Sequence, residues 1–267
     1  IDKFYFEFNK FFHLFLIVDL FNKIKQKPLL GNGLGSFHRF NDGPLQLGTH
    51  NTLLLIQGEG GIHVASDSFL QGLEEICLEK NLLFMLDEVQ AGIGRTGEFL
   101  GFQKAGVKPD AVAMAKGLGG GFPIGGVWLK EKWTDIFQPG SHGTTFGGSP
   151  LACSAAHAVL DVIEKEDLIK KTQKHGEFLQ SELENLKNKY PDLIKEVRGR
   201  GLMLALVMQN SPNDLITKLR QNGLLVVGAA GNAIRFLPPL TICNSELKEA
   251  LEITKNSLKE FHHELQK

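Results

Sequence analysis

The sequence predicts an α/β protein in which a mostly parallel sheet is followed by a small α+β domain. Three observations support this class. Short apolar runs alternate with segments of helical spacing between residues 53 and 129, a long apolar helix follows, and Glu- and Lys-rich amphipathic segments begin at about residue 166. Alternating strands and helices are typical of parallel sheets, whose strands are buried on both faces and therefore apolar throughout.

The elements of the first part follow from their apolar spacing. The strands are predicted at residues 53–57, 82–86, 111–115 and 125–129. Apolar residues three and four apart predict a helix over residues 69–80. Ser149 and Pro150 predict the N-cap and first turn of a long helix that ends near residue 165.

The elements of the second part alternate in the same way. They are a helix over 168–189, strands near 193–198 and 202–208, a helix over 213–222, strands at 224–228 and 233–237, and a helix from about 245. Asn244 or Ser245 would cap the last helix. We therefore expect an atypical N-terminal segment (1–50), part of a large domain (51–165) and a small C-terminal domain (166–267).

The composition indicates an enzyme-like, water-soluble chain. An apolar content of 42% supports a core, and a net charge of −1 gives no field for nucleic acid or an anionic membrane. The apolar stretch Phe11–Phe21 is too short to span a bilayer, which needs about 20 residues. Three widely spaced cysteines predict no metal site and a reducing compartment, the cytoplasm, with a mitochondrion or plastid as alternatives.

Asp87 closes the second predicted strand, and Gln90 follows it. Ligands of open α/β sheets bind beyond the carboxyl ends of strands. A carboxylate there needs a cationic or hydrogen-bonding partner, because an unpaired buried charge is costly. A protonated pyridine nitrogen would be one such partner; the alternative is that Asp87 only caps a turn before Gly92.

Lys116 follows the third predicted strand and opens the glycine-rich stretch Gly119–Gly121. A lysine at a strand end that is partly desolvated becomes nucleophilic toward a carbonyl group. The glycines allow positive φ and leave room for a ring. The alternative is an exposed surface lysine before a flexible loop.

Thr144 and Thr145 place two hydroxyls beside the flexible Gly147–Gly148 pair. Hydroxyl and backbone N–H groups suit a phosphate dianion or a substrate carboxylate; alternatively, the threonines only shape the turn into the next helix. Together with Asp87 and Lys116 they predict a site in which a lysine forms a Schiff base with pyridoxal phosphate.

At this point the chain resembles a known family. The stretches DEVQAGIGRTG, AKGLGGGFPIGG, HGTTFGGSPLA, VRGRGLM and IRFLPPL, in this order, are similar to those of the class III aminotransferases, which have the fold-type-I architecture and use pyridoxal phosphate. Within the family the motifs most resemble the branch that takes N-acetylornithine as amino donor and 2-oxoglutarate as acceptor. Ornithine and 4-aminobutyrate are the alternative donors.

The resemblance implies a role for each matching residue. Lys116 would bind the cofactor and carry the proton during catalysis. Asp87 would pair with the pyridine nitrogen, within a cofactor-contacting stretch that also contains Glu88, Val89 and Gln90, and Gln90 would contact the ring hydroxyl. Thr145 would bind the phosphate of the neighbouring subunit in a homodimer, and Thr144 would lie near the substrate.

The resemblance further implies that Glu59 and Arg235 form an ion pair that acts as a gate. Arg235 would be released from this pair to bind the second carboxylate of 2-oxoglutarate or glutamate. Arginine suits this role because its fork meets a carboxylate through two hydrogen bonds. An ion pair that only joins two domains is the alternative.

The chain departs from the family in two respects. Leu54 and Leu55 stand where the family usually has Glu-Pro. The first part of such an enzyme, with its Gly-Thr phosphate loop and ring-stacking aromatic residue, has no counterpart in the sequence. An inactive homologue that keeps only the core of the fold is therefore the alternative to an active aminotransferase.

Overall fold

A computed structural model describes residues 53–54, 56–57, 60–136 and 143–266 of the chain. The predicted atypical segment 1–50 lies outside these residues. In chain order, the strands are β1 (Leu53–Leu54), β2 (Ile56–Gln57), β3 (His63–Val64), β4 (Met85–Asp87), β5 (Ala111–Met114), β6 (Gly126–Leu129), β7 (Ile194–Arg200), β8 (Met203–Met208), β9 (Val227–Ala229) and β10 (Ala233–Phe236). The α-helices are α1 (Asp67–Glu79), α2 (Pro150–Lys165), α3 (Leu168–Lys189), α4 (Asn213–Gln221) and α5 (Asn244–Leu265).

The described residues pack into two compact units. The first contains β1 with residues 67–90 and 105–161, and the second contains β2 and β3 with residues 91–104 and 162–266. The division after residue 161 falls inside α2. The predicted domains, 51–165 and 166–267, are continuous stretches of chain and remain a prediction.

The first unit has a four-stranded sheet in the order β1-β4-β5-β6. The β1–β4 and β4–β5 pairs are parallel, and β6 is antiparallel to β5, which confirms the mostly parallel sheet. The predicted strand over 53–57 is wrong in one respect, because β1 and β2 join different sheets. The strand predicted over 82–86 instead spans Met85–Asp87, because the Phe84 N–H donates at 3.1 Å to the Asp110 carboxylate and not to a neighbouring strand.

The second unit has an antiparallel sheet in the order β7-β8-β10-β9. Its central strand β8 is buried along its whole length, because the sheet and helices enclose it. Leucines at i, i+4 and i+7 of α3 (Leu179, Leu183 and Leu186) belong to this core, as do Leu247, Leu251 and Leu258 of α5. The apolar spacing that predicted the two helices therefore corresponds to the helix faces that are buried in this core.

The helix ends agree only partly with the prediction. Ser149 caps α2 as predicted, and its hydroxyl accepts a bond of 3.4 Å from the Ala152 N–H. The predicted caps of α5, Asn244 and Ser245, are wrong. The N-cap is Cys243, whose backbone N–H donates to the Glu246 carboxylate at 2.8 Å. In the described ranges, no helix has the length and apolar character needed to cross a membrane.

Candidate active site

Two of the predicted site residues meet at one edge of the first unit's sheet. Asp87 ends β4, and its register partner on the parallel strand β5 is Ala113. Lys116 follows the end of β5 by two residues. Since parallel strands present their carboxyl ends at the same edge, this topology brings Asp87 and Lys116 together there.

Asp87 is a half-buried carboxylate. Burial raises its pKa, while a hydrogen bond of 2.9 Å from the Val89 N–H and the positive charge of Lys116 act in the opposite direction. The bond to Val89 means that Asp87 does shape the following turn, as the simpler interpretation held. This role occupies Oδ1 and is compatible with a cationic partner on the other oxygen.

The rest of the DEVQ stretch continues from the strand. Glu88 is fully buried, and its N–H donates to the Ala113 carbonyl at 2.9 Å, which extends the ladder between β4 and β5 by one residue. Val89 and Gln90 are half-buried in the turn that follows. Direct cofactor contacts by Glu88, Val89 and Gln90 remain predictions.

Lys116 has a strained backbone that the sequence did not reveal. Its φ of 47° lies in the left-handed region, which costs a residue with a side chain roughly 1–2 kcal/mol. It opens a 3₁₀ turn over Lys116–Gly119, and its side chain is exposed in this chain, in contrast to the partial desolvation that we expected. Strain of this kind is concentrated at functional sites, where the surrounding structure maintains it.

The glycines after Lys116 serve two purposes. Gly120 and Gly121 adopt positive φ, as predicted. At Gly119, however, a Cβ would lie 2.7 Å from Cγ2 of Ile124, so this glycine permits the loop to fold onto itself. A Cβ at Gly120 would lie 2.7 Å from Cγ2 of Val159 on α2. Because these positions have no side chain, the loop can approach α2 closely.

Thr144 and Thr145 precede α2 in a segment of glycines and turns. Thr144 is half-buried and Thr145 is exposed. The next residue, Phe146, has a large apolar side chain that is 84% exposed. The two hydroxyls are thus accessible, but their ligands remain predictions.

Arg235 lies on β10 in the second unit, paired with Ala205 of β8 and Val227 of β9. It lines a cavity of about 670 Å³ together with residues 211–213 and 228–232. Glu59 lies outside the described residues, so its pairing with Arg235 remains a prediction.

Arg95 is a supporting residue to which sequence reasoning assigned no role. It is largely buried, and burial lowers its pKa to about 10. One Nη1 atom donates to the carbonyl oxygens of Leu202, at 3.0 Å, and Pro238. These bonds fix the segment that follows Gln90 within the second unit. No local signal reveals these bonds, since the two acceptor carbonyls lie 107 and 143 residues away in the sequence.

Comparison with known proteins gives a family. The family model described as aminotransferase class-III matches residues 54–258. The chain is 44% identical over 210 residues to the acetylornithine aminotransferase of Caldanaerobacter subterraneus, covering 78% of this chain and 53% of that protein. It is 46% identical over 204 residues to the acetylornithine aminotransferase of Aquifex aeolicus, covering 76% and 52%. The chain thus spans about half the length of these curated relatives.

Solved structures agree with the sequence comparison. The acetylornithine aminotransferase of Elizabethkingia anophelis has a TM-score of 0.74 at 40% identity, over 78% of this chain and 53% of that one. An ornithine aminotransferase of Toxoplasma gondii, described with pyridoxal phosphate at partial occupancy in its active site, has a TM-score of 0.77 at 36% identity, over 80% and 52%. The chain therefore belongs to the class-III aminotransferases, which are fold-type-I, pyridoxal-phosphate-dependent enzymes.

Proposed function

We propose that this chain belongs to a pyridoxal-phosphate-dependent aminotransferase that moves an amino group from N-acetylornithine to 2-oxoglutarate. The products are N-acetylglutamate semialdehyde and glutamate, a step of arginine biosynthesis. The observation that carries the proposal is the pair of Asp87 and Lys116 at adjoining strand ends. The donor is proposed from the relatives, which are named acetylornithine aminotransferases at 44% and 46% identity.

The residues of the sheet edge suit this cofactor. Pyridoxal phosphate, when bound, supplies a carbonyl group that reacts with amines and a cationic ring that accepts electrons from the substrate. Asp87 is a half-buried carboxylate with a raised pKa, so a cationic ring nitrogen beside it would offset the cost of its burial. The carboxylate would in turn keep that nitrogen protonated.

Lys116 supplies the amine and the proton carrier. Its Nζ would take a proton from the δ-carbon of N-acetylornithine, which bears the transferred amine, and in the second half of the reaction would deliver a proton to the carbon that becomes Cα of glutamate. A positioned amine of this kind contributes roughly 10²–10⁴-fold to a proton-transfer step. The strained backbone at Lys116 and the close approach of its loop to α2 fix the origin of this long side chain.

The remaining candidates would hold the ends of the ligands. The Thr145 hydroxyl would donate to the phosphate, and Gln90 would contact the ring hydroxyl. Thr144 would lie near the substrate. Arg235, together with Glu59, would distinguish the two substrates, because only 2-oxoglutarate and glutamate bring a second carboxylate for its guanidinium.

The proposal includes a homodimer in which Thr145 serves the partner's site. We take the 84% exposed Phe146 beside Thr145 as support for an interface at this segment, since an interface there would remove its large apolar side chain from water. We expect Phe146→Ser to shift the chain from dimer to monomer in analytical ultracentrifugation. Leu78→Ser is the control, because Leu78 is also strongly exposed, at 71%, but lies on α1. If both variants sediment as the wild type does, Phe146 gives no support for a dimer interface at this segment.

Glutamate formation with different donors tests the function directly. With pyridoxal phosphate and 2-oxoglutarate present, we expect kcat/KM for N-acetylornithine to exceed that for ornithine or 4-aminobutyrate by about 10-fold or more, the effect of one additional specific contact. A higher kcat/KM for ornithine would identify the enzyme as an ornithine aminotransferase, the activity for which several similar solved structures are named. No glutamate with any donor, and no bound cofactor, would favour the inactive homologue.

We further propose a cytoplasmic location. The three cysteines are free thiols, with Cys153 buried, Cys77 half-buried and Cys243 exposed. Free thiols without a disulfide are typical of a reducing compartment.

A further inference from the structure

A strained turn lies between β2 and β3 in the second unit. Gly61 has a φ of 105° and Ile62 a φ of 58°. A positive φ is unusual for a β-branched residue. Ile62 is also fully buried, so its side chain helps to hold a backbone conformation that costs roughly 1–3 kcal/mol.

Arg198 of β7 contacts this turn. Arg198 Nη1 lies 2.9 Å from His63 Nε2 and 3.4 Å from the Gly61 carbonyl oxygen. Its Nε and Nη2 atoms both lie 2.7 Å from Glu196 Oε2. Glu196 therefore orients the guanidinium, and the remaining nitrogen is directed at the turn. Because arginine can only donate, His63 Nε2 must accept, which requires the neutral imidazole.

The same turn packs against the connection between β9 and β10. A Cβ at Gly61 would lie 2.6 Å from the carbonyl oxygen of Ala230. Ala230 belongs to the stretch 228–232 that lines the cavity of Arg235. One wall of this cavity is thus backed by the strained turn.

We propose that Arg198 is a positioning residue that clamps the turn Gly61–His63 against Ala230 and thereby fixes the wall of the Arg235 cavity. The clamp needs three simultaneous contacts from one planar fork, which a lysine cannot supply. Its consequence for function rests on the proposed role of Arg235 as the site of a substrate carboxylate.

The clamp is sensitive to pH through His63. In the described part of the chain, Arg198 and Glu196 of β7 are the charged groups that face this ring, and its register partner on β2 is Gln57. Partial desolvation beside the turn and the Arg198 charge lower the pKa of His63, although its side chain is exposed overall. The contact is therefore complete above the ordinary histidine pKa of about 6.5, and it is lost as the pH falls below 6.5 through the lowered folded value.

Amide hydrogen exchange tests the clamp without any cofactor. In Arg198→Lys we expect protection factors of the amides at 61–64 and 230–232 to fall by about 10-fold or more, the equivalent of one charge-assisted hydrogen bond. Protection across β8 should stay unchanged. Arg220→Lys is the matched control, because Arg220 is an exposed arginine of the same unit. Wild-type protection in Arg198→Lys would overturn the proposal, as would a loss confined to 61–64.

Variants of His63 decide the question if Arg198→Lys fails to fold. His63 is exposed, so its replacement leaves the core intact. His63→Gln keeps an acceptor and should retain protection at the low pH at which the wild type loses it. His63→Lys opposes two cations and should lose protection at every pH. Identical protection in the two variants would contradict the clamp.

Binding of 2-oxoglutarate links the clamp to function. We expect Arg198→Lys to raise its dissociation constant by about 10-fold, a factor that His63→Gln should not produce. If the wild type does not bind 2-oxoglutarate, the proposed role of Arg235 fails, while the exchange data still decide whether Arg198 holds the turn. Unchanged binding in Arg198→Lys with reduced protection would overturn the functional consequence.

Discussion

Replacement of Lys116 by alanine is expected to abolish the reaction. The variant lacks the amine that binds the cofactor covalently and carries the proton, so turnover should fall by about 10³-fold or more. In the wild type, added pyridoxal phosphate should give a visible absorption band of the lysine-bound cofactor that borohydride reduction fixes to the protein. Lys116→Ala should show only the spectrum of the free cofactor.

Two further variants separate the amine from other properties of Lys116. Lys80→Ala, which removes an exposed lysine of the same unit, should behave as the wild type. Lys116→Gly should be as inactive as Lys116→Ala. Its free energy of unfolding should be about 1 kcal/mol higher than that of Lys116→Ala, because glycine tolerates the positive φ of this position. Retention of the fixed band in Lys116→Ala would mean that another lysine binds the cofactor.

Replacement of Gly201 by alanine is expected to give a large loss of stability. A Cβ at this position would lie 2.5 Å from the carbonyl carbon of Thr96 and 2.8 Å from the Gly97 nitrogen. These are backbone atoms, which cannot rotate away as a flexible side chain can. We expect the free energy of unfolding in urea to fall by about 3 kcal/mol, from overpacking and from the positive φ together.

Gly231 provides the control for the backbone contribution. Its φ of 69° is close to the 57° of Gly201, but a Cβ at Gly231 would meet no atom within 4 Å. Gly231→Ala should therefore cost only about 1 kcal/mol, the price of the left-handed conformation. Equal losses in the two variants would show that the crowding at Thr96 and Gly97 relaxes.

The crowding at Gly201 also explains why this region tolerates few side chains. A Cβ at Gly176 of α3 would lie 2.5 Å from the Gly201 carbonyl oxygen. Gly201 is thus packed between α3 and the segment that carries Arg95 and Thr96. The sequence displays these glycines, but only the packing explains which of them have no room for a methyl group.

Most helices and the α/β class were predictable because their signals are local. The helices over 150–165 and 168–189 agree with α2 and α3 in both ends, since apolar spacing and terminal residues lie within the element itself. Strand bounds were less accurate, as at Leu82–Leu86, because a strand exists only where a partner pairs with it. The division of the stretch 53–57 between two sheets depends on distant partners and left no local signal.

The sequence by itself determined the order of the chemical groups: a carboxylate, a lysine with its glycine loop, a threonine pair and a late arginine. These residue types carry their chemistry wherever they lie, and their succession identified the family. Only the tertiary structure decided their environment, namely the half-buried state of Asp87, the strained backbone of Lys116 and the clamp formed by Arg198. Burial, strain and long-range hydrogen bonds arise from segments that are distant in sequence, so no local pattern encodes them.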